Sequence, residues 1–225
     1  MTSVDSAMHT VEIVHWIALG VMAVVYTLRL LWLFSFKSAR DRQLPGERGD
    51  TSLRPRLYSL FNVMMPWGME STRTNFGFYL TFVIFHLGVV AGISLAFVSS
   101  LYRPVLEIRL VSYAVMGILG AAFLIGLMRV VRRLTSPVMR LISSPDDIFC
   151  VILLTGWFLS GTLAQAHIAG LLASKWIMVA FLAATSFFLI YVPFSKISHY
   201  LYYPFTRYWI GRTLGHRGSM PPAKS

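Results

Sequence analysis

Two histidines sit where an imidazole needs explaining. His86 lies in Val83-Ile84-Phe85-His86-Leu87-Gly88, with apolar residues on both sides. His199 closes Val192-Pro193-Phe194-Ser195-Lys196-Ile197-Ser198-His199, where another apolar run gives way to charge. A neutral imidazole deep in an apolar run needs a partner. One partner that suits two such residues is haem iron, which facing imidazoles of a helical bundle ligate from either side. Gly88 would leave room for a porphyrin face, and Lys196 would meet a propionate. The plainer reading stays open beside it: a lone buried His86 bonded to a neighbouring helix, and an interfacial His199.

The elements that carry these residues follow from composition. The 225-residue chain is 56% hydrophobic and 13% charged, against about 25% charged for soluble domains. Five apolar runs stand out: Ile13–Phe36, Phe76–Phe97, Leu110–Met128, Ile148–Leu172 and Trp176–Phe194. Each is close to the roughly 20 residues that a helix needs to cross a bilayer. None alternates apolar and polar residues, so helices are expected and a barrel is not. The expected fold is an all-α membrane bundle of five transmembrane helices. Its expected parts are an outer segment 1–12, a five-helix domain 13–203 and a cytoplasmic tail 204–225. The spans within it are read as 13–36, 76–97, 110–128, 148–172 and 176–203.

The net charge of +11 would point to nucleic acid in a soluble protein. Here the positive-inside rule accounts for it, and no nucleic-acid partner is expected. Seventeen of the 20 Lys and Arg fall at Arg29, in the first and third loops or in the tail. That bias places the N-terminus outside and the C-terminus in the cytoplasm of a cell-membrane protein. The first run is read as a retained span, because it is long and ends in a basic loop. The single cysteine, Cys150, excludes an internal disulfide, and no Cys-x-x-Cys-His attaches a haem covalently.

Smaller features fill in the helices. Gly88 and Gly92 form a Gly-x-x-x-Gly step that admits a close neighbour. Ser143-Ser144-Pro145-Asp146-Asp147 is a helix cap. Residues 57–70 read equally as an interfacial helix or as a loop docked on the bundle. The last eleven residues, from Gly215, read as disordered. His15 and His167, near the outer ends of the first and fourth spans, are expected to reach interfacial water. His9 and His216 are expected to be solvated. His86 lies ~15 Å from Phe76 at the helical rise. His199 matches that depth only if the second span starts in the cytosol or the fifth runs on to about Tyr203, with Pro204 as its stop.

At these residues the chain resembles the membrane gamma subunit of respiratory nitrate reductase. Relatives in that family include cytochrome b subunits of heterodisulfide-reductase-like and sulfate-respiration complexes. The likeness covers most of the chain in outline. It is sharpest at His86-Leu87-Gly88, at Leu153–Gly156 and at Val192–His199. The two-haem members carry two further histidines, whose matching positions here are Ala96 and Phe181. The resemblance therefore implies one b-type haem, held by His86 and His199. It also implies an iron–sulfur partner subunit on the cytoplasmic side and exchange of electrons with membrane quinone. The two-haem members handle quinol near the outer haem, so the resemblance implies either a quinone site moved inward, near His86 and Lys196, or a quinone bridging the vacated outer space and meeting His15, Gln165 or His167. A second haem between His15 and His167 is a separate alternative. The alternatives are a haem-free membrane anchor or assembly subunit with the same fold and, last, a small transporter. The transporter would be expected to show Pro-broken spans and paired intramembrane charges.

Overall fold

A computed structural model describes residues 3–37 and 41–221. Among these residues there are ten α-helices and no strand. Five helices are long and apolar enough to cross a membrane: α1 Ser3–Ser35, α4 Phe76–Leu101, α6 Arg109–Thr135, α8 Pro145–Ile168 and α9 Trp176–Tyr191, the last continued to Phe194 by a 3-10 turn. The protein is a multi-pass helical membrane protein. The short helices are α2 Arg54–Asn62, α3 Glu70–Thr74, α5 Pro104–Glu107 and α7 Pro137–Ile142, and α10 His199–His216 closes the chain. The chain divides into two units, residues 1–28 with 80–196 and residues 29–79 with 197–225.

In the first unit α6 lies along α8, and α8 packs on α9. Small residues set how closely the helices approach. A Cβ on Gly88 would fall 2.2 Å from the Ala122 Cβ, and one on Gly126 would fall 2.4 Å from the Thr155 hydroxyl. Gly92 meets the Trp157 ring in the same way. Without a hydrophobic drive between helices in lipid, such close backbone contact is a main source of packing energy. Trp157 is buried, and its Nε1–H donates to Thr185 Oγ1 at 2.8 Å. Gln165 is fully buried and donates to the Leu106 carbonyl and to Ser112 Oγ, both at 2.9 Å.

The expected cap of α8 is present as a reciprocal capping box. Ser144 Oγ accepts from the Asp147 N–H, and an Asp147 carboxylate oxygen accepts from the Ser144 N–H. Several boundaries differ from the sequence reading. Residues 3–12 are not a separate outer segment, because α1 begins at Ser3. Asp5 favours that start from the first turn, where the helix dipole is positive. Helix α8 ends at Ile168, four residues early, and Gly170 turns the chain at a φ of +76°.

The fifth span does not run to Tyr203. Helix α9 stops at Tyr191, and Val192–Phe194 tightens into a 3-10 turn. Pro193 has no N–H to continue the α-helical ladder. Ser195 then takes an extended conformation, its N–H on the Val192 carbonyl at 3.1 Å. Pro204 is not a stop either: it lies inside α10, in the second turn.

The second unit shows that residues 204–221 are not a loose tail. Helix α10 packs on α2 through Gly211 and Gly215, where added Cβ atoms would come within 2.6 Å of Pro55. Residues 57–70 are therefore in part a docked helix. Loop residues satisfy the carbonyls that a helix end leaves open: Gly46 N–H donates to the His216 carbonyl at 3.1 Å and Asp50 N–H to the Gly215 carbonyl at 2.8 Å. Arg217 binds Asp41 at 2.7 and 3.3 Å. Of the eleven residues expected to be disordered, 215–221 finish this structure; 222–225 lie outside the described residues.

Candidate functional site

Helix α4 carries one imidazole, His86, along 26 residues. The helix is amply long to span a bilayer, at about 1.5 Å per residue. His86 lies on its exposed side. Its Nδ1 is 2.8 Å from the Phe82 carbonyl one turn back. A carbonyl oxygen only accepts, so Nδ1 carries the proton and the neutral ring keeps its lone pair on Nε2. Histidines that ligate metals are oriented by such a bond from the other ring nitrogen. The Phe82 ring lies 4.2 Å away, centroid to centroid, and fixes the imidazole further.

Phe85, the preceding residue, is buried and meets Phe158 edge-on at 5.1 Å. The Arg129 guanidinium of α6 lies over the Phe85 ring, 4.5 Å from its centroid. Among the described residues no carboxylate pairs with Arg129. The sequence reading counted Arg129 only as a topology charge. Its place between five and six turns from the start of α6 was visible, but the aromatic face that receives it was not.

Gly88 corrects an expectation. Its open side is filled by Ala122, and the Phe158 ring stands 3.3 Å from where a Cβ would be. The missing side chain serves the crossing of α4 with α6 and leaves no porphyrin-sized space on that face. Lys196 also has protein partners. Its ammonium donates to Asp147 Oδ1 at 3.0 Å and to Ser144 Oγ at 2.9 Å, at the cap of α8. The bond to Asp147 raises the Lys196 pKa, so the ammonium stays charged. A propionate would have to share it with Asp147. Nearby, Tyr191 donates to Asp146 at 2.9 Å and lies 3.3 Å from the Cys150 sulfur.

His199 is the first residue of α10 and is exposed, with Ser198 buried before it. It belongs to the second unit and His86 to the first.

His15 departs from the interfacial expectation. His15 is only 2% exposed, and neither ring nitrogen has a hydrogen-bond partner. Phe97 and Trp16 meet its ring edge-on at 6.2 and 6.1 Å. His167 donates from Nδ1 to the Leu172 carbonyl at 2.8 Å and so closes the turn after α8. His9 is exposed as expected, whereas the His216 ring bonds the Gln43 carbonyl.

Ala96 and Phe181 are both core. Ala96 is 1% exposed and Phe181 0%. Phe181 stacks on Trp157 at 6.3 Å and lies against Gly161. Among the described residues no three His, Cys, Asp or Glu side chains converge on a point that would hold a bare metal ion. A haem asks the protein for two axial ligands only. The chain matches no protein-family model, no curated protein and no solved structure.

Proposed function

We propose that this protein is a membrane-anchoring electron-transfer subunit of a respiratory oxidoreductase complex. It holds one b-type haem through His86 and His199. It passes electrons between membrane quinone and an iron–sulfur partner on the cytoplasmic side of the cell membrane. The observation that carries this reading is the Nδ1–H bond of His86 to the Phe82 carbonyl on the exposed side of a spanning helix. That bond presents Nε2 as the donor atom a haem iron takes.

When bound, a haem supplies one-electron chemistry that the protein tunes through ligands, nearby charge and burial. The chain's own residues supply position. Phe82 holds the imidazole of His86. Arg129 brings a cation to the ring beside it. His199 is paired with His86 by the family resemblance. The packed core at Ala96 and Phe181 supports one haem rather than the two of the fuller relatives. The basic loops suit an acidic partner face as well as topology.

A haem-free anchor is the second reading, and two observations favour it. The free side of Gly88 is spent on helix packing, and Lys196 is spent on Asp147. A reduced-minus-oxidised spectrum with pyridine haemochrome quantitation of the purified chain decides between the two. One haem per chain, lost in both His86→Ala and His199→Ala with helix content unchanged, is the expected result. No haem in wild type leaves the anchor. Two haems per chain bring His15 and His167 into the ligand set.

A further inference from the structure

The second unit contains an open cavity of about 590 Å³ between the end of α1 and α10. Small-molecule sites typically run to about 300–1,000 Å³. Its lining changes character along α1. Leu33, Phe34 and Phe36 come first, and Lys37 follows as the first charge after the span. From α10 come Phe205, Trp209 and Arg212. Phe34 and Phe205 meet edge-on at 5.3 Å and form an aromatic wall. Trp209 remains 46% exposed and Phe36 59%.

This lining has the chemistry of one molecule type. The apolar walls continue the exposed apolar surface of a helix long and apolar enough to cross a membrane, where acyl chains are the expected neighbours. Trp and Tyr collect at headgroup depth, where an apolar ring and a polar edge are both accommodated. Two cations then line the same cavity where the span ends. Among the described residues Lys37 has no carboxylate partner. The unit as a whole is basic: twelve of the 20 Lys and Arg but four of the nine Asp and Glu fall in it. The acid nearest Lys37 in sequence, Asp41, is held by Arg217. A cation at a bilayer surface attracts an anionic headgroup.

We propose that this groove binds one anionic phospholipid specifically, its phosphate met by Lys37 and Arg212 and its chains laid against Phe34, Phe205 and Trp209. The site is independent of the haem reading. It pins α10 to the membrane surface by occupying the space between that helix and α1.

The full chain is purified in mild detergent, stripped of lipid and returned to nanodiscs containing phosphatidylglycerol and phosphatidylcholine in equal amounts. Lipid retained after re-extraction is counted by native mass spectrometry. The expected result is one phosphatidylglycerol retained per wild-type chain. The Lys37→Gln, Arg212→Gln double variant retains at least tenfold less, while Arg48→Gln, Arg54→Gln, which lowers the charge equally outside the groove, retains as much as wild type. Lys37→Arg, Arg212→Lys keeps both charges and retains the lipid, which separates loss of binding from loss of fold. Equal retention in the Gln double variant overturns the proposal, as does equal uptake of phosphatidylcholine. Displacement of the lipid by inorganic phosphate alone overturns it too. So does a concentration-dependent dimer that excludes lipid, since a second copy would then be the occupant.

Discussion

The Arg129 guanidinium lies 4.5 Å from the centre of the Phe85 ring, and Phe85 is bonded in sequence to His86. A cation over an aromatic face is worth about 0.5–2 kcal/mol, more where water is excluded. It also fixes a positive charge beside the residue proposed to ligate haem. A nearby cation favours the reduced, less positive iron. Arg129→Gln is expected to lower the haem midpoint potential by a few tens of millivolts, within one tenfold step of about 59 mV for a one-electron couple. Arg129→Lys keeps the charge and is expected to hold the potential near wild type. A redox titration of the three proteins checks this. Equal potentials in all three would mean that Arg129 acts through packing alone.

The crossing at Gly88 gives a prediction independent of any cofactor. A methyl group there would sit 2.2 Å from the Ala122 Cβ. Overpacking of this kind costs typically about 1–3 kcal/mol. Gly88→Ala should lower the thermal midpoint in detergent, and Ala122→Gly in the same chain should restore much of it. Haem content should return with stability in the double variant. A stable double variant without haem would instead return the Gly88 face to a porphyrin.

How much of this was legible beforehand depends on the kind of signal. The five spans were readable because about 20 apolar residues in a row have few other uses. The cap at Ser144 was readable because Ser-x-x-Asp before an apolar run is a local pattern. The fate of residues 204–221 was not. Gly211 and Gly215 look like breakers in sequence, yet they let α10 touch α2, a partner some 150 residues away. The same holds for Gly88, whose open side is claimed by α6 and not by a ligand. His15 was placed in interfacial water, and only the helices around it show it buried. The proposed pairing of His86 with His199 rests on two imidazoles in or beside apolar runs and on the resemblance, because single-chain spacing carries no register between distant helices.

Thr185 is a small buried residue with a specific task. Its hydroxyl accepts the Trp157 indole N–H at 2.8 Å and itself donates to the Phe181 carbonyl at 2.8 Å. Thr185→Val preserves shape and leaves the indole N–H without its partner, which costs about 1–3 kcal/mol. Thr185→Ser keeps the hydroxyl and should lose less. Thermal melts that rank wild type first, Ser second and Val last fit this account. Equal midpoints for Ser and Val would show that the methyl group matters and the hydrogen bond does not.

The seal between residues 41–50 and the end of α10 should fail in acid. Arg217 hydrogen-bonds the Asp41 carboxylate, with the Gln43 N–H adding to it, and holds its pKa below the usual 3.8. Ser52 does the same for Asp50 through its hydroxyl and N–H. A carboxyl whose folded pKa is depressed contributes stability above its unfolded pKa, and the contribution is lost as pH falls through the folded value. The window therefore opens near pH 4 and extends downward. Hydrogen exchange reads it directly at the Gly46 and Asp50 amides, which bond the last carbonyls of α10. Their protection factors should be level from pH 7 to about 5 and should fall below about 4. In Asp41→Asn, protection should start lower at pH 7 and vary less across the acid range, because one of the titrating groups is gone. An acid response of undiminished size in that variant would assign the transition to other carboxylates and leave Asp41 as a surface pair of little consequence.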